Sequence, residues 1–206
     1  MRNRKSGLAV LFCISVMFCF CSCKEKVATV AEIRDEDGLV VECITMQEFS
    51  LKEPVINDDK ERVRHCAVLI PKGYSESKEV PGLYVHERAP MESSNIYYSV
   101  AKGESGIVSD ELTEGVYKEI LEESYAQKGT DVSLEILSFE KTQMDGVPAY
   151  KIRSSHKIES NTILQLTYMI MGEDTHVITY SQSKDDEMMV DFETSEGKIR
   201  LIREEM

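Results

Sequence analysis

The sequence lacks the features that most directly reveal a function. Its longest apolar run covers residues 8–20, broken only by Ser15, whereas a membrane-spanning helix needs about 20 residues. Positive charge is also scarce, because 24 basic residues face 37 acidic ones and give a net charge of −13. Such a surface repels phosphate backbones and anionic headgroups, so nucleic acid is the partner class that the charge disfavours most.

Motifs for catalysis and for cofactor binding are missing as well. We find no nucleophile with a base at a known spacing, no Cys or His pairs at metal-ligand spacing, and no glycine-rich phosphate loop. The sequence therefore predicts no enzymatic activity, no cofactor and no metal site.

The four histidines test the metal prediction. With two-residue turns at 159–160 and 172–173, His156 faces Ile163 and His176 faces Met169, which lie roughly 20 Å apart along one strand. His65 and His86 lie on other strands, with no close Cys, Asp or Glu at ligand spacing apart from Glu87 next to His86. We therefore predict that all four are structural residues.

The N-terminus is typical of a secretory signal peptide. Three basic residues, Arg2, Arg4 and Lys5, precede the apolar run. The sequence Phe20-Cys21-Ser22-Cys23 follows, with a bulky residue three positions before Cys23 and a small one just before it, as lipoprotein signal peptidase requires. We predict cleavage before Cys23 and lipidation of its thiol; the alternative is an ordinary signal peptide with scattered cysteines.

This processing defines the predicted organisation of the chain. Residues 1–22 would be the signal peptide, 23–31 a tether and 32–206 a single α+β domain. Without the three basic residues of the leader, the net charge of −13 becomes −16. Because at least two acyl chains on Cys23 give stable anchoring, the predicted location is the extracytoplasmic face of the cell membrane.

Two cysteines remain after lipidation, Cys43 and Cys66. Each lies in a strand-like segment, at 39–50 and 63–70, and a loop near 52–59 would make the two segments an antiparallel pair. Two interpretations stay open: a disulfide between Cys43 and Cys66, or two buried reduced cysteines that act as small apolar residues.

The middle of the chain predicts one helix, over 109–125. Leu112, Val116 and Ile120 recur at a spacing of four beside a second row that begins at Tyr117, which makes one apolar stripe. Ser109 and Asp110 are suitable N-caps, Glu114 and Lys118 a favourable pair, and Gly129 a stop.

Four strands are predicted after this helix, at 132–141, 147–158, 162–171 and 175–181. Asp145-Gly146 is a strong signal for a two-residue hairpin turn. It pairs Met144 with Val147, Glu140 with Lys151 and Phe139 with Ile152, so that opposite charges face each other and apolar residues face each other. The strand at 162–171 is apolar on both faces, which indicates a central strand.

A final helix completes the predicted fold. Asp185 and Asp186 would cap it, and its side chains at Met188, Met189 and Phe192 would pack on the sheet. One helix in the middle of the chain and one at its end predict an antiparallel sheet with helices on both faces, an α/β/α sandwich of the α+β class.

The order of elements resembles the Mog/PsbP-like family of small bacterial lipoproteins. The residues that carry the resemblance are V-L-I-P-K-G-Y at 68–74, S-S-N-I at 93–96 and D-G-V-P-A-Y at 145–150, extended by the strands at 165–170 and 177–180. It covers about residues 60 to 195. It implies an α/β/α sandwich that acts mostly as a non-enzymatic assembly or accessory factor.

The sequence thus favours a lipid-anchored binding or accessory module with an envelope protein as its partner. A small-ligand receptor is the alternative. The tyrosines Tyr84, Tyr97, Tyr98 and Tyr117 are candidates for a recognition surface, and the competing interpretation places them in the core.

Overall fold

The computed structural model of the chain describes residues 29–34, 37–54, 64–103, 112–183 and 188–202. These residues form two antiparallel sheets that pack on each other. The smaller sheet has four strands, in the spatial order β1 (Thr29–Arg34), β2 (Val40–Lys52), β3 (Arg64–Pro71) and β11 (Arg200–Leu201). The predicted tether at 23–31 therefore overlaps β1, which begins at Thr29.

The larger sheet has seven strands and all its neighbours are antiparallel. In spatial order these are β4 (Tyr74–Glu76), β5 (Leu83–His86), β6 (Asn95–Ala101), β10 (Thr175–Ser183), β9 (Asn161–Met171), β8 (Val147–Ile158) and β7 (Ser133–Met144). The predicted central strand at 162–171 corresponds to β9, which lies between β10 and β8, and this prediction is confirmed.

Two α-helices occur in the described part of the chain, α1 (Glu114–Gln127) and α2 (Met188–Thr194), with a 3₁₀ turn at Glu196–Lys198. Neither is long and apolar enough to cross a bilayer. Side chains of β9 alternate between two cores: Tyr168 and Ile170 face the small sheet and α2, whereas Met169 packs in the cluster beneath α1.

The predicted α/β/α sandwich is wrong. Helix α1 covers one face of the large sheet as expected, but the other face packs on the four-stranded sheet, with the seven-residue α2 beside it. The protein is therefore mostly β-structure in two packed sheets. The error arose because the alternation within a segment tells which face is buried, not which segments pair to form a separate sheet.

Helix α1 begins later than predicted. Thr113 is its N-cap, with Oγ1 accepting from the amide of Val116 at 3.3 Å, whereas the predicted caps Ser109 and Asp110 lie outside the described residues, as do Asp185 and Asp186. Gly129 ends the helix region with φ of 69°, as predicted. Lys118 pairs with Glu122, not with Glu114 as predicted.

Two residues of the predicted apolar stripe on α1 face solvent. Tyr117 is buried, but Val116 is 45% and Ile120 is 39% exposed. The helix thus buries a narrower face than the sequence pattern suggests.

The β7–β8 hairpin has the predicted register. Met144 pairs with Val147, Glu140 with Lys151 and Phe139 with Ile152. Towards its other end β7 contains a bulge between Ile136 and Ser138, and the extra residue, Leu137, is 51% exposed. At the opposite side of β8, His156 pairs with Ile163 as predicted.

The β9–β10 register differs by one residue from the prediction. His176 pairs with Ile170, not with Met169, because Met171 pairs with Thr175 and leaves a three-residue loop, Gly172 to Asp174. His156 and His176 still lie far apart on either side of β9.

Candidate functional site: a polar cluster between the two sheets

A group of ionisable side chains lies where one end of the small sheet meets the large sheet. We call it the His65–His176 cluster. Its members, joined by the contacts described below, are Glu53, His65, Cys66, Tyr98, Lys102, Asp174 and His176.

The two histidines reach each other from different sheets. His65 is on β3 and His176 on β10, and their ring centroids are 5.4 Å apart with the planes tilted by 40°. Nε2 of His65 lies 3.1 Å from Oε2 of Glu53, just after β2. Since Lys52 pairs with Arg64, the β2–β3 ladder brings this carboxylate beside His65. Glu53 and His65 are 12 positions apart in the chain, so their sequence spacing did not indicate this contact.

Tyr98 links His176 to the core. Its hydroxyl lies 2.9 Å from Nδ1 of His176, and Sγ of Cys66 donates to the same oxygen at 3.7 Å. With the thiol donating to the oxygen, the phenolic proton is directed to Nδ1, which assigns the remaining proton of neutral His176 to Nε2. Burial raises the pKa of Tyr98 far above its usual range and that of Cys66 to about 11.

The exposed side of the cluster is ionic. Nζ of Lys102 lies 3.5 Å from Oε2 of Glu53 and 3.5 Å from Oδ2 of Asp174. The other oxygen of Asp174 accepts from the amide of Gly103 at 3.1 Å. Burial raises the pKa of Glu53, but the hydrogen bond with His65 and the charge of Lys102 outweigh it and lower the pKa overall.

This arrangement holds protons in place and does not activate a nucleophile. With a pKa of about 11, the thiol of Cys66 stays protonated near neutral pH. Because the thiolate is the reactive form of cysteine, this thiol is not activated. Tyr98 likewise keeps its proton. Among the residues that the structure describes, no three His, Cys, Asp or Glu side chains are placed to hold a metal ion.

The two remaining histidines also have hydrogen-bond partners. Nδ1 of His86 accepts from the amide of Arg88 at 3.2 Å. His156 contacts the hydroxyls of Tyr125 at 3.0 Å and Ser154 at 2.8 Å, and burial lowers its pKa to about 4.

The structure contains no disulfide between Cys43 and Cys66. Leu51, not Cys43, is opposite Cys66, and Cys43 lies further along β2, opposite Glu32 of β1. Cys66 is a free, buried thiol, which agrees with the second interpretation for this residue. The predicted lipidation site, Cys23, lies outside the described residues.

The four tyrosines do not form a common surface. Tyr84, Tyr98 and Tyr117 are buried, and only Tyr97, at 40% exposure, is accessible. The core interpretation holds for three of them. Tyr98 belongs to the His65–His176 cluster, but the sequence did not reveal this, because an aromatic residue in a strand looks the same whether it packs in a core or lines a site.

A shallow groove of about 380 Å³ lies on the small sheet. It is lined by Glu48, Ser50, Ala67, Asp145, Arg200, Leu201 and Ile202. The guanidinium of Arg200 lies 2.5 Å from the carboxylate of Glu48, so the two most conspicuous charges of the groove are paired with each other.

Comparisons with known proteins identify the fold. No protein-family model and no curated protein matches the chain. Among solved structures, it is similar to CyanoP, the cyanobacterial PsbP of Synechocystis sp. PCC 6803, with 16% identity and a TM-score of 0.53 over 79% of this chain and 95% of that one.

Two further likenesses are weaker. A Bacteroides thetaiotaomicron protein has 12% identity and a TM-score of 0.43, over 75% of this chain and 49% of that one. LpqN of Mycobacterium tuberculosis, a protein involved in cell envelope biogenesis, has 13% identity and a TM-score of 0.37, over 87% and 94%. The likeness to CyanoP confirms the PsbP-like resemblance at the level of fold.

Proposed function

We propose that this chain, which has the PsbP fold, is a lipid-anchored accessory module that binds a protein partner at the outer face of a membrane and catalyses no reaction itself. The observation that carries the proposal is the sequence Phe20-Cys21-Ser22-Cys23 after a basic and apolar leader. A fold alone does not define a function, so the predicted signal for export and lipidation is the stronger argument.

The position of the domain fits an anchor at Cys23. Strand β1 begins at Thr29, and six residues span at most about 20 Å when fully extended. An acylated Cys23 would thus hold the small sheet close to the bilayer, within reach of other proteins of the same membrane. The acidic surface would disfavour direct contact with anionic headgroups.

The character of the His65–His176 cluster supports a non-catalytic role. Its thiol and its phenol are both held in the protonated form by burial, and its carboxylates are paired with His65, Lys102 and the backbone. Groups arranged in this way stabilise the contact between the sheets.

Replacement of Cys23 tests the anchor. We expect Cys23→Ser to retain its leader and to carry no diacylglyceryl group, while mass spectrometry of the unchanged protein shows cleavage before Cys23 and a diacylglyceryl group on its thiol. Cys21→Ser is the matched control: it changes the neighbouring cysteine and keeps Phe20 and Ser22, so it should stay anchored. Unchanged protein found in the cytosol with residues 1–22 intact would refute the proposal.

The partner is tested separately, by crosslinking in intact cells. We expect the anchored protein to recover the same envelope protein in repeated experiments and Cys23→Ser to lose it. If no envelope protein is recovered repeatably from correctly anchored protein, the accessory role is wrong even though the anchor is right.

A small-ligand receptor is the second candidate, favoured by the groove beside Arg200, whose volume lies within the range of ligand pockets. Stabilisation by one metabolite in a thermal-shift screen, lost in Arg200→Ala, would support it. A screen in which no metabolite shifts the melting temperature would count against it.

A further inference from the structure

The His65–His176 pair lies at the boundary between the two sheets, and each of its imidazole rings becomes positive when it takes up a proton. His176 is 9% exposed, and the side chain of His65 is 14% exposed. Both rings therefore border solvent, and a fall in pH can reach them without unfolding the core.

The cluster accommodates one positive imidazole. Oε2 of Glu53, 3.1 Å from Nε2 of His65, is an ionised acceptor for a protonated His65. The same carboxylate also neutralises Lys102. A proton on His65 therefore strengthens the link between β3 and the end of β2.

A second proton, on Nδ1 of His176, would place two hydrogen-bond donors against each other, this N–H and the Tyr98 hydroxyl. Nδ1 of His176 accepts the hydrogen of the Tyr98 hydroxyl, 2.9 Å away. Once protonated, Nδ1 becomes a donor, and the phenolic hydrogen must turn towards Sγ of Cys66, which is only a weak acceptor. Because Tyr98 is fully buried, this hydroxyl cannot turn to water without movement of the strands.

The charges around His176 oppose the second proton as well. His65 lies across from it on β3, and Lys102 adds a positive charge from the end of β6. Asp174, in the loop before β10, acts in the opposite direction but also binds Lys102 and the amide of Gly103. Burial first, then His65 and Lys102, lower the pKa of His176 overall, against the effect of Asp174.

We propose that the His65–His176 cluster is an acid-sensitive contact between the two sheets: a second proton on the imidazole pair separates β3 from β6 and β10 at this end while the rest of the fold persists. The inference does not depend on the lipid anchor or on a partner. It gives the protein a local response to the acidity of its surroundings.

The direction of the effect follows from proton binding. Above pH 6.5, the ordinary value for histidine, His176 is neutral in both the closed and the open state. As the pH falls below that value, the open state takes up a proton that the closed state resists, so the contact weakens progressively. The weakening ends only below the lowered pKa of His176 in the closed state.

Hydrogen exchange measured by mass spectrometry tests this, with rates corrected for the intrinsic effect of pH. Between about pH 7 and about pH 5, where only histidines normally titrate, we expect exchange in β3 and at the facing ends of β6 and β10 to rise on the order of tenfold. Exchange in the half of the β7–β8 hairpin nearest its turn, residues 139–152, should not change, because this half carries no histidine. Equal corrected rates in β3 at the two pH values would overturn the proposal.

Two variants identify the responsible group. In His176→Asn, the amide oxygen can replace Nδ1 as the acceptor for Tyr98 and cannot titrate, so the acid response should disappear. His156→Asn is the matched control, a buried histidine that also contacts a tyrosine hydroxyl through Nδ1, and it should keep the response. Persistence of the response in His176→Asn would overturn the proposal.

An NMR titration makes the test independent of whether His176→Asn folds. In His65→Gln the neighbouring positive charge is gone, so the titration midpoint of His176 should move to higher pH than in the unchanged protein. An unchanged midpoint would show that the two rings do not interact, and the proposal would fail.

Discussion

The ring of Phe192 stacks on the ring of Tyr180, with centroids 4.3 Å apart and planes inclined by 19°. Phe192 belongs to α2 and Tyr180 to β10, and both side chains are fully buried. A helix of seven residues has little stability of its own. Its attachment to the two sheets therefore depends largely on this one aromatic residue, with Met189 packed at the margin of the same core.

Phe192→Ala should therefore destabilise the protein strongly. Loss of a buried phenylalanine costs about 3–5 kcal/mol, which urea denaturation would measure as a lower midpoint. Val190→Ala on the same helix is the control, because Val190 is 51% exposed and such surface changes stay within about 0.5 kcal/mol. Similar losses for both variants would mean that α2 is not held by Phe192.

Loss of the hydroxyl should reduce the stability of the protein at one buried tyrosine, Tyr168, and not at another, Tyr180. The Tyr168 hydroxyl donates to Glu196 at 2.9 Å, so Tyr168→Phe should cost about 1.5–3 kcal/mol. The Tyr180 hydroxyl has no hydrogen-bond partner among the described residues, so Tyr180→Phe should be neutral or stabilising. Chemical denaturation of both variants measures this, and an equal loss in the two would contradict it.

Lys151 holds the C-terminal segment to β8 through charge. Its Nζ lies 2.5 Å from Glu196 and 3.5 Å from Glu193, and Arg153 also pairs with Glu193. Lys151→Met should cost about 1–3 kcal/mol, less than a fully buried pair, because Glu196 is 39% exposed. Arg200→Met, which breaks an exposed pair with Glu48, should cost at most about 1 kcal/mol.

The cost of Lys151→Met should also depend on pH. Burial raises the pKa of Glu196, but the bonds from Lys151 and Tyr168 and the charge of Arg153 lower it below 4.5 overall. The stabilisation is therefore complete above about pH 4.5 and is lost as the pH falls through the lowered pKa. Denaturation curves across this range should show the gap between the two proteins closing; a constant gap would exclude the ionic explanation.

The Cys66 thiol should be unreactive in the folded protein. It is fully buried, and its pKa of about 11 leaves almost no thiolate near neutral pH. Alkylation followed by peptide mass spectrometry should modify Cys66 in urea and not in buffer. Rapid labelling in buffer would show that the end of the core around Tyr98 opens readily even without acid.

The sequence predicted best how segments that follow one another in the chain pair with each other. Asp145-Gly146 fixes the β7–β8 hairpin, and a two-residue turn leaves one register that pairs Phe139 with Ile152. The β9–β10 register was missed by one residue because Gly172 and Glu173 fit a two-residue turn equally well, and the sequence does not show that Asp174 also belongs to the loop.

Contacts between distant segments could not be predicted in this way. Cys66 on β3 pairs with Leu201 on β11, near the end of the chain, and nothing local in either segment specifies the other. The same holds for His65 and His176, which meet only because the two sheets pack at one end. Glu53 was not predicted beside His65 either, because it falls inside the loop predicted near 52–59.

The bulge at Leu137 has a consequence for many copies crowded together. Strand β7 is the outermost strand of the large sheet, and an unbroken outer strand is a template on which another chain can add its own strand. The extra residue interrupts the regular spacing of backbone groups and increases the twist there. At high local concentration the protein thus has, at this edge, an obstacle to forming sheets that run from one molecule into the next.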